Sequence, residues 1–449
     1  MNQNQYREVK MRRLHEKTGT ILRSTLLGTV ASVMTFGTAL AEDLPYGLKS
    51  GKPYDGTKIT YLAPVATQYE GHSERVAEFT DMTGIEVEFE FVPFKTLLEK
   101  ILSVKVAGDS DPDVINYLDA WGPALKDMLV PLDDQMDADG ISMDRYFAAH
   151  AAGATYDGEV YGMPLRGHAQ LLFYRKDLLE KHGLDVPVTW DDLVNVAAVI
   201  KEKEGLGVAN YYSPKNGQNI FTWVNLLWSN GGELIADGKV VFNSPAGVEA
   251  LQYYADLENK FDVNTSGAKS RDPYESSLSV GAGNSAFFMG WWWHYGSRIL
   301  GKNTTLQADQ IGFTGMPAYG DKGVTFALSM PSGINVESDD KEAAWEFLKW
   351  VSNPDLEKRN VIEKADRNVI VALHKSNLTD EDVNEANRGL HMAGAKSLAD
   401  SRIFPQLESW PEIQQLIANA ISDVVSNGTD PQEALDTAAA AAQKLVDQK

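Results

Sequence analysis

The chain of 449 residues contains no cysteine. That absence excludes a disulfide framework, a thiolate metal site, a cysteine nucleophile and an export site that carries lipid on a cysteine. Histidine is also sparse: the 8 present are scattered, without metal-ligand spacing. No H-E-x-x-H, G-x-S-x-G or phosphate-loop sequence occurs. Positive charge is short as well, with 41 Lys and Arg against 63 Asp and Glu, a net charge of −22. Nucleic acid and anionic membrane both require clustered Lys and Arg, so neither is an expected partner. Beyond the first forty residues no apolar run approaches the roughly 20 residues that span a bilayer. The expectation is a soluble monomer without a cofactor.

The N-terminus carries what the rest lacks. Arg7, Lys10, Arg12, Arg13, Lys17 and Arg23 precede the apolar run Leu26–Met34, and Ala39-Leu40-Ala41 follows it. This order reads as a secretory signal peptide over residues 1–41, cleaved after Ala41, with Met11 as a second possible start. Removing the leader, six basic against two acidic residues, leaves the mature chain near −26. In a cell with two membranes the destination is the periplasm. A chain this long exceeds one ordinary hydrophobic core, so two lobes are expected.

Lys58–Leu62 has strand character, Ser73–Thr83 reads as a helix capped by Ser73, and Ile85–Val92 alternates apolar with Glu. A helix over Phe94–Ala107 and a strand over Asp113–Tyr117 follow. This alternation predicts an α/β fold with a largely parallel sheet. Ligands bind beyond the carboxyl ends of such strands. Gln68, Tyr69 and Glu70, in the loop expected after the first strand, and Asp119 and Trp121 after the third become candidates. Further helices are expected at Trp190–Glu204, Thr222–Asn230, Pro245–Asn259, Lys341–Val351, Pro411–Ser426 and Pro431–Asp447.

Gly162-Met163-Pro164, then Leu172-Phe173-Tyr174-Arg175-Lys176-Asp177-Leu178 and Pro187-Val188-Thr189-Trp190-Asp191-Asp192-Leu193, closely resemble a signature of the family 1 extracellular solute-binding proteins, relatives of maltose-binding protein. Asn284–Trp292, Ala343–Trp350 and Pro405–Ala434 resemble three later segments of that family, in the same order. The resemblance implies a two-lobed periplasmic-binding-protein type II fold with a hinge and a central cleft. The N-lobe would hold 42–164 plus 320–364, and the C-lobe 165–319 plus 365–449. It also implies an ABC importer, whose permease receives the solute, and no catalysis.

A sugar-like ligand calls for flat aromatic faces and for charged or amide groups that make several hydrogen bonds. Three consecutive indoles at Trp291-Trp292-Trp293 cannot all face one core, and the family position favours Trp291 and Trp292 as cleft residues. Arg166, just past the hinge, suits vicinal hydroxyls or an acid group; an inter-lobe ion pair is its alternative. Trp223, Asn225 and Arg402 complete the candidates. A saccharide, a polyol and a sugar acid all fit. A polyamine on the same fold and a secreted glycan-active enzyme are the rival readings. Gly281-Ala282-Gly283-Asn284-Ser285-Ala286 matches a dinucleotide pattern but has no clear strand before it. Asp137-Ala138-Asp139-Gly140 is a poor match to a calcium loop.

Overall fold

A computed structural model describes residues 44–320, 322–365 and 370–448. The leader lies outside the described residues. The first strand, β1 (Lys58–Pro64), is followed by helices α1 (Thr67–Ser73) and α2 (Val76–Thr83), then β2 (Glu86–Val92), α3 (Phe94–Ala107) and β3 (Val114–Asn116). β1 pairs in parallel with both β2 and β3. It is buried on both faces because helices cover both. Leu62 packs with Leu97 and Ile101 of α3, while Tyr61 meets Phe347 edge-on with ring centroids 5.4 Å apart. β2 is the sheet edge, and its Glu86 and Glu88 point into solvent.

Two expectations for this segment fail. Gln68, Tyr69 and Glu70 lie on a short helix, not in a loop. Ser73 is the last residue of that helix, with its hydroxyl donating to Glu70 O at 2.9 Å, and it caps nothing downstream. The helix expected over Ser73–Thr83 starts at Val76 instead, after Glu74 and Arg75 interrupt the helical hydrogen bonding.

The sheet is mixed rather than largely parallel. Next in the chain come α4 (Ala148–Ala152), β4 (Met163–Arg175), α5 (Trp190–Glu204), α6 (Ile220–Ser229), α7 (Pro273–Gly281), β5 (Phe287–Trp291), β6 (Ile311–Gly315) and β7 (Thr325–Ile334). The 13-residue β4 runs antiparallel to β5, β6 and β7. β7 continues the sheet onto β3. One curled sheet therefore passes through both halves, and β4 and β7 are the strands that cross. Their register shifts between Met330 and Pro331, where Pro331 stands opposite Pro164. Neither proline has an N–H to give the ladder. Asn116 takes up the slack: its Nδ2 donates to Met330 O at 3.2 Å and Pro331 O at 2.9 Å.

The remaining chain forms α8 (Lys341–Val351), α9 (Pro354–Glu363), α10 (Leu390–Ala399), β8 (Ser401–Arg402), α11 (Trp410–Asn427) and α12 (Pro431–Val446). One core gathers Tyr61, Phe79, Phe347 and Trp350 with 370–398; a second gathers Trp190, Trp223, Phe287 and the helices after Trp410. α5 starts with a reciprocal cap, in which Thr189 Oγ1 accepts from Asp192 N at 3.1 Å and Asp192 Oδ2 accepts from Thr189 N at 2.9 Å. Thr189→Ala removes one of these bonds and should cost about 1 kcal/mol, read as a lowered urea midpoint.

The structure also accounts for the two decoy motifs. Gly281 ends a helix rather than following a strand, and a Cβ there would lie 2.8 Å from Arg298 O and Ile299 O. Close backbone approach requires that glycine, not a nucleotide. Asp139 accepts from Trp345 Nε1 at 2.6 Å and pairs with Lys349 at 3.2 Å, so it joins α8 to the loop before it.

Candidate functional site

Strand geometry decides which side chains of β4 share a face. Alternation places Arg166, His168 and Gln170 together, running from the first half of the molecule into the second. Gln170 is tied at the far end, where its Oε1 accepts from Asn225 Nδ2 at 2.5 Å, and Asn225 Oδ1 accepts from Phe326 N at 2.7 Å. His168 packs against Trp291 and Trp293, with centroids 5.7 and 6.3 Å away. Its Nδ1 accepts from Trp292 Nε1 at 3.3 Å, a role open to the neutral ring that carries its proton on Nε2. Burial pushes the His168 pKa well down, and the positive field of Arg166 adds to the effect.

Arg166 is a free cation on this floor. Its one hydrogen bond among the described residues runs from Nη1 to the Met330 sulfur, at 3.7 Å. A guanidinium has five N–H donors, and this one is only partly buried, so the remainder stay within reach of a ligand. No carboxylate among the described residues pairs with it. The groups that act on it are burial, which lowers its pKa, and the hydroxyls of Tyr69 and Tyr274.

Tyr69 comes from α1 and Tyr274 from α7, so the floor is flanked from both halves. Trp293 and the Arg298 guanidinium bracket Tyr274, at 5.7 and 4.8 Å from its ring. Buried polar atoms around this floor lack a partner among the described residues: Tyr69 Oη, whose hydroxyl acts on Arg166, and both ring nitrogens of His294, beside Trp293 and Tyr274. Native interiors leave few such groups unpaired, because each costs about 1–3 kcal/mol. A hydroxyl and an imidazole without partners, beside a free guanidinium and a partly exposed indole, make this floor the candidate site.

A cavity of about 790 Å³ lies elsewhere along the junction, between Lys126 and Tyr156 on one side and Gln406–Glu412 on the other. Lys126 pairs there with Asp157, and Gln406 Nε2 donates across the junction to Ala152 O at 2.8 Å, while Glu408 and Glu412 line it as carboxylates. The free cation is over β4, which makes that floor the candidate site.

The sequence-based candidates divide accordingly. Arg166 lies on the floor, and Gln68 is buried on α1 beside Tyr69. Asp119 is occupied, because its two oxygens accept from Ala120 N at 2.7 Å and Ser329 N at 2.8 Å. Burial nevertheless pushes its carboxyl up to about 7. It fastens the turn after β3 to β7. Trp121 stacks on Phe94 at 5.4 Å, on the outer rim. Glu70 is half-buried on α1 and has no bond into the floor. Trp223 is fully buried, edge-on to Phe242 in the second core, and Asn225 is held by the two bonds given above. Arg402 is a surface residue, paired with Glu233 at 2.8 Å over Trp228.

The tryptophan preference is corrected. Trp292 is fully buried: a Cβ on Gly394 would come within 2.3 Å of its ring, so glycine there makes room for the indole. Trp291 is wedged between Phe221 and Phe326 at 5.4 and 5.3 Å, with His168 on its remaining side. Trp293 is the partly exposed member of the three. Sequence reasoning also missed His168, Tyr274, Arg298 and Ser329. Only the alternation of Arg166, His168 and Gln170 along one strand offered a signal for any of them.

Among the described residues, no group of three or more His, Asp or Glu is placed to hold a metal ion, and no helix is long and apolar enough to cross a membrane.

Comparison with known proteins agrees with this architecture. A probable amino-acid ABC transporter periplasmic-binding protein of Sinorhizobium fredii is 26% identical over 92% of this chain and 95% of its own length. A solute-binding protein of Agrobacterium radiobacter, solved in complex with ribitol, superposes with a TM-score of 0.70 at 26% identity, covering 88% of this chain and all of that one. The sugar-binding protein MalE of Xanthomonas citri shares the fold, with a TM-score of 0.75 at 22% identity over 87% of this chain and 98% of that one. The fold is thus the two-lobed periplasmic-binding-protein type, and its relatives bind solutes rather than transform them. The profile of the bacterial extracellular solute-binding proteins matches residues 63–358, and the chain belongs to that family.

Proposed function

We propose that the protein captures a sugar-like solute, a saccharide, polyol or sugar acid, over β4 and hands it to the permease of an ABC importer. The observation that carries this reading is the pair of unpartnered polar groups, Tyr69 Oη and the His294 ring nitrogens, that flank Arg166 and Trp293. Hydroxyls of a polyol or sugar satisfy such groups in number, and an indole face suits the C–H side of the same molecule. The ribitol in the Agrobacterium radiobacter relative supports that ligand class. The protein works as a monomer in the periplasm, exported by its leader, residues 1–41. Its lobes are 42–164 plus 320–364 and 165–319 plus 365–449, with residues 370–398 of the second packing against the first core.

The name of the Sinorhizobium fredii relative favours an amino acid as a second reading. An α-ammonium group would need a free carboxylate beside Arg166; no carboxylate among the described residues pairs with that cation, and Asp119 is already occupied by two backbone donors. A polyamine meets the same objection, compounded by Arg166. Thermal unfolding against a panel of sugars, polyols, amino acids and polyamines tests the assignment. A ligand at a hundred times its Kd adds about 2.7 kcal/mol, so a shift with carbohydrates alone is the expected result. A shift confined to amino acids or amines would replace it. Trp293→Ala should weaken carbohydrate binding about tenfold to a hundredfold, the cost of one lost aromatic platform, whereas Trp223→Phe should leave affinity unchanged.

A further inference from the structure

Acidic residues outnumber basic ones by 22 in this chain, so carboxylates are plentiful. Most cations outside the cleft have taken one: Arg359 binds Glu78, Arg175 binds Asp177, and Lys358 binds both Asp380 and Asp382. Arg166 and Arg298 have not, among the described residues. Arg166 reaches a thioether and two phenols, while Arg298 lies over the Tyr274 ring with its Nε unpartnered. The rings beside them, His168 and His294, are neutral, so they neither cancel nor supply charge. The floor of the cleft is therefore a pocket of positive potential inside a strongly negative protein.

A buried charge without a counter-ion is costly, and a neutral polyol does little to relieve that cost. A carboxylate does: it matches the guanidinium fork, accepts two parallel N–H bonds and supplies the missing charge. We infer that the solute is a sugar acid, a polyhydroxylated monocarboxylate whose carboxylate binds Arg166. Its hydroxyls meet Tyr69 and Tyr274, which flank that guanidinium, and its C–H face lies near Trp293. This rests on the carbohydrate reading above and narrows it. Arg298, on the far side of Tyr274, adds to the field without contacting the carboxylate directly.

Matched pairs separate the charge from the rest of the molecule. D-glucuronate against D-glucose, D-galacturonate against D-galactose, and D-gluconate against D-glucitol differ in the acid group and share the hydroxyl pattern. Calorimetric titration should show the acid of at least one pair binding at least tenfold more tightly than its neutral partner, with affinity falling as salt is raised. Arg166→Met should remove that preference, and Arg166→Lys, which keeps the charge but not the fork, should retain part of it. Unfolding midpoints of both variants report whether they are folded, and the pairs on the unaltered protein do not depend on them. Equal or tighter binding of the neutral member overturns the sugar-acid assignment and leaves the carbohydrate reading standing. Binding by no sugar or sugar acid, with an amino acid or amine bound instead, overturns both.

Discussion

Lowering the pH from 7 to 5 is expected to strip several kcal/mol from the stability of this protein. Burial depresses His72, His150 and His391 to pKa values of about 4 and His294 to about 3, against an ordinary 6.5. The folded form refuses protons that the unfolded chain accepts. The associated stability is complete above pH 6.5 and drains away as the pH falls towards 4. Each ring with a folded pKa near 4 loses on the order of 2 kcal/mol by pH 5. Asp119 works the other way: its carboxyl is held up at about 7 against an ordinary 3.8, so acid relieves a strain there. One such group does not offset four histidines. Urea titrations at pH 7.5, 6 and 5 should therefore show a midpoint that falls steadily, before most surface carboxylates begin to titrate. A midpoint that holds or rises at pH 5 would refute the buried-histidine account.

The second large effect is expected at Glu357, a carboxylate almost wholly buried on α9. Its Oε1 accepts from Leu373 N at 2.8 Å; its Oε2 accepts from His374 N at 3.2 Å and Asn377 Nδ2 at 2.8 Å, with His374 Nδ1 3.0 Å away. Burial alone would raise its pKa, yet the His374 charge and these donors hold it below the ordinary value. Glu357→Ala leaves three donors stranded in the core and should cost about 3–5 kcal/mol. Glu357→Gln preserves the volume but turns an N–H₂ towards donors on one side, so it should recover only part of the loss. Full recovery in the glutamine variant would mean that the site needs shape rather than an acceptor. Since His72, His150 and His391 all feel this charge, either variant should also steepen the acid sensitivity described above.

Much of the scaffold was legible because local chemistry marks its ends. Phe94–Ala107 stops at Gly108, which adopts φ +62°, and Trp190–Glu204 starts at a Thr-x-x-Asp cap. Thr67–Ser73 was not legible: it is short, polar and without an apolar repeat, so nothing in its residues distinguishes helix from loop. Of the candidate site, Arg166 follows from its place just past the hinge, while Gln68 lies on the short helix that the sequence did not announce. Which of three adjacent indoles stays accessible depends on Gly394, far along the chain, where the missing side chain admits Trp292. The role of Tyr274 likewise arises only when α7 is laid beside the turn after β5, and no spacing in the sequence announces it.

The interrupted pairing of β4 and β7 has a mechanical consequence. Two strands bonded side by side resist sliding and splaying, and they yield where their ladder is broken, between Pro164 and Pro331. Compliance is concentrated in that short stretch instead of being spread over the junction. Any relative movement of the two halves is expected to bend at this stretch first, as a flexure does.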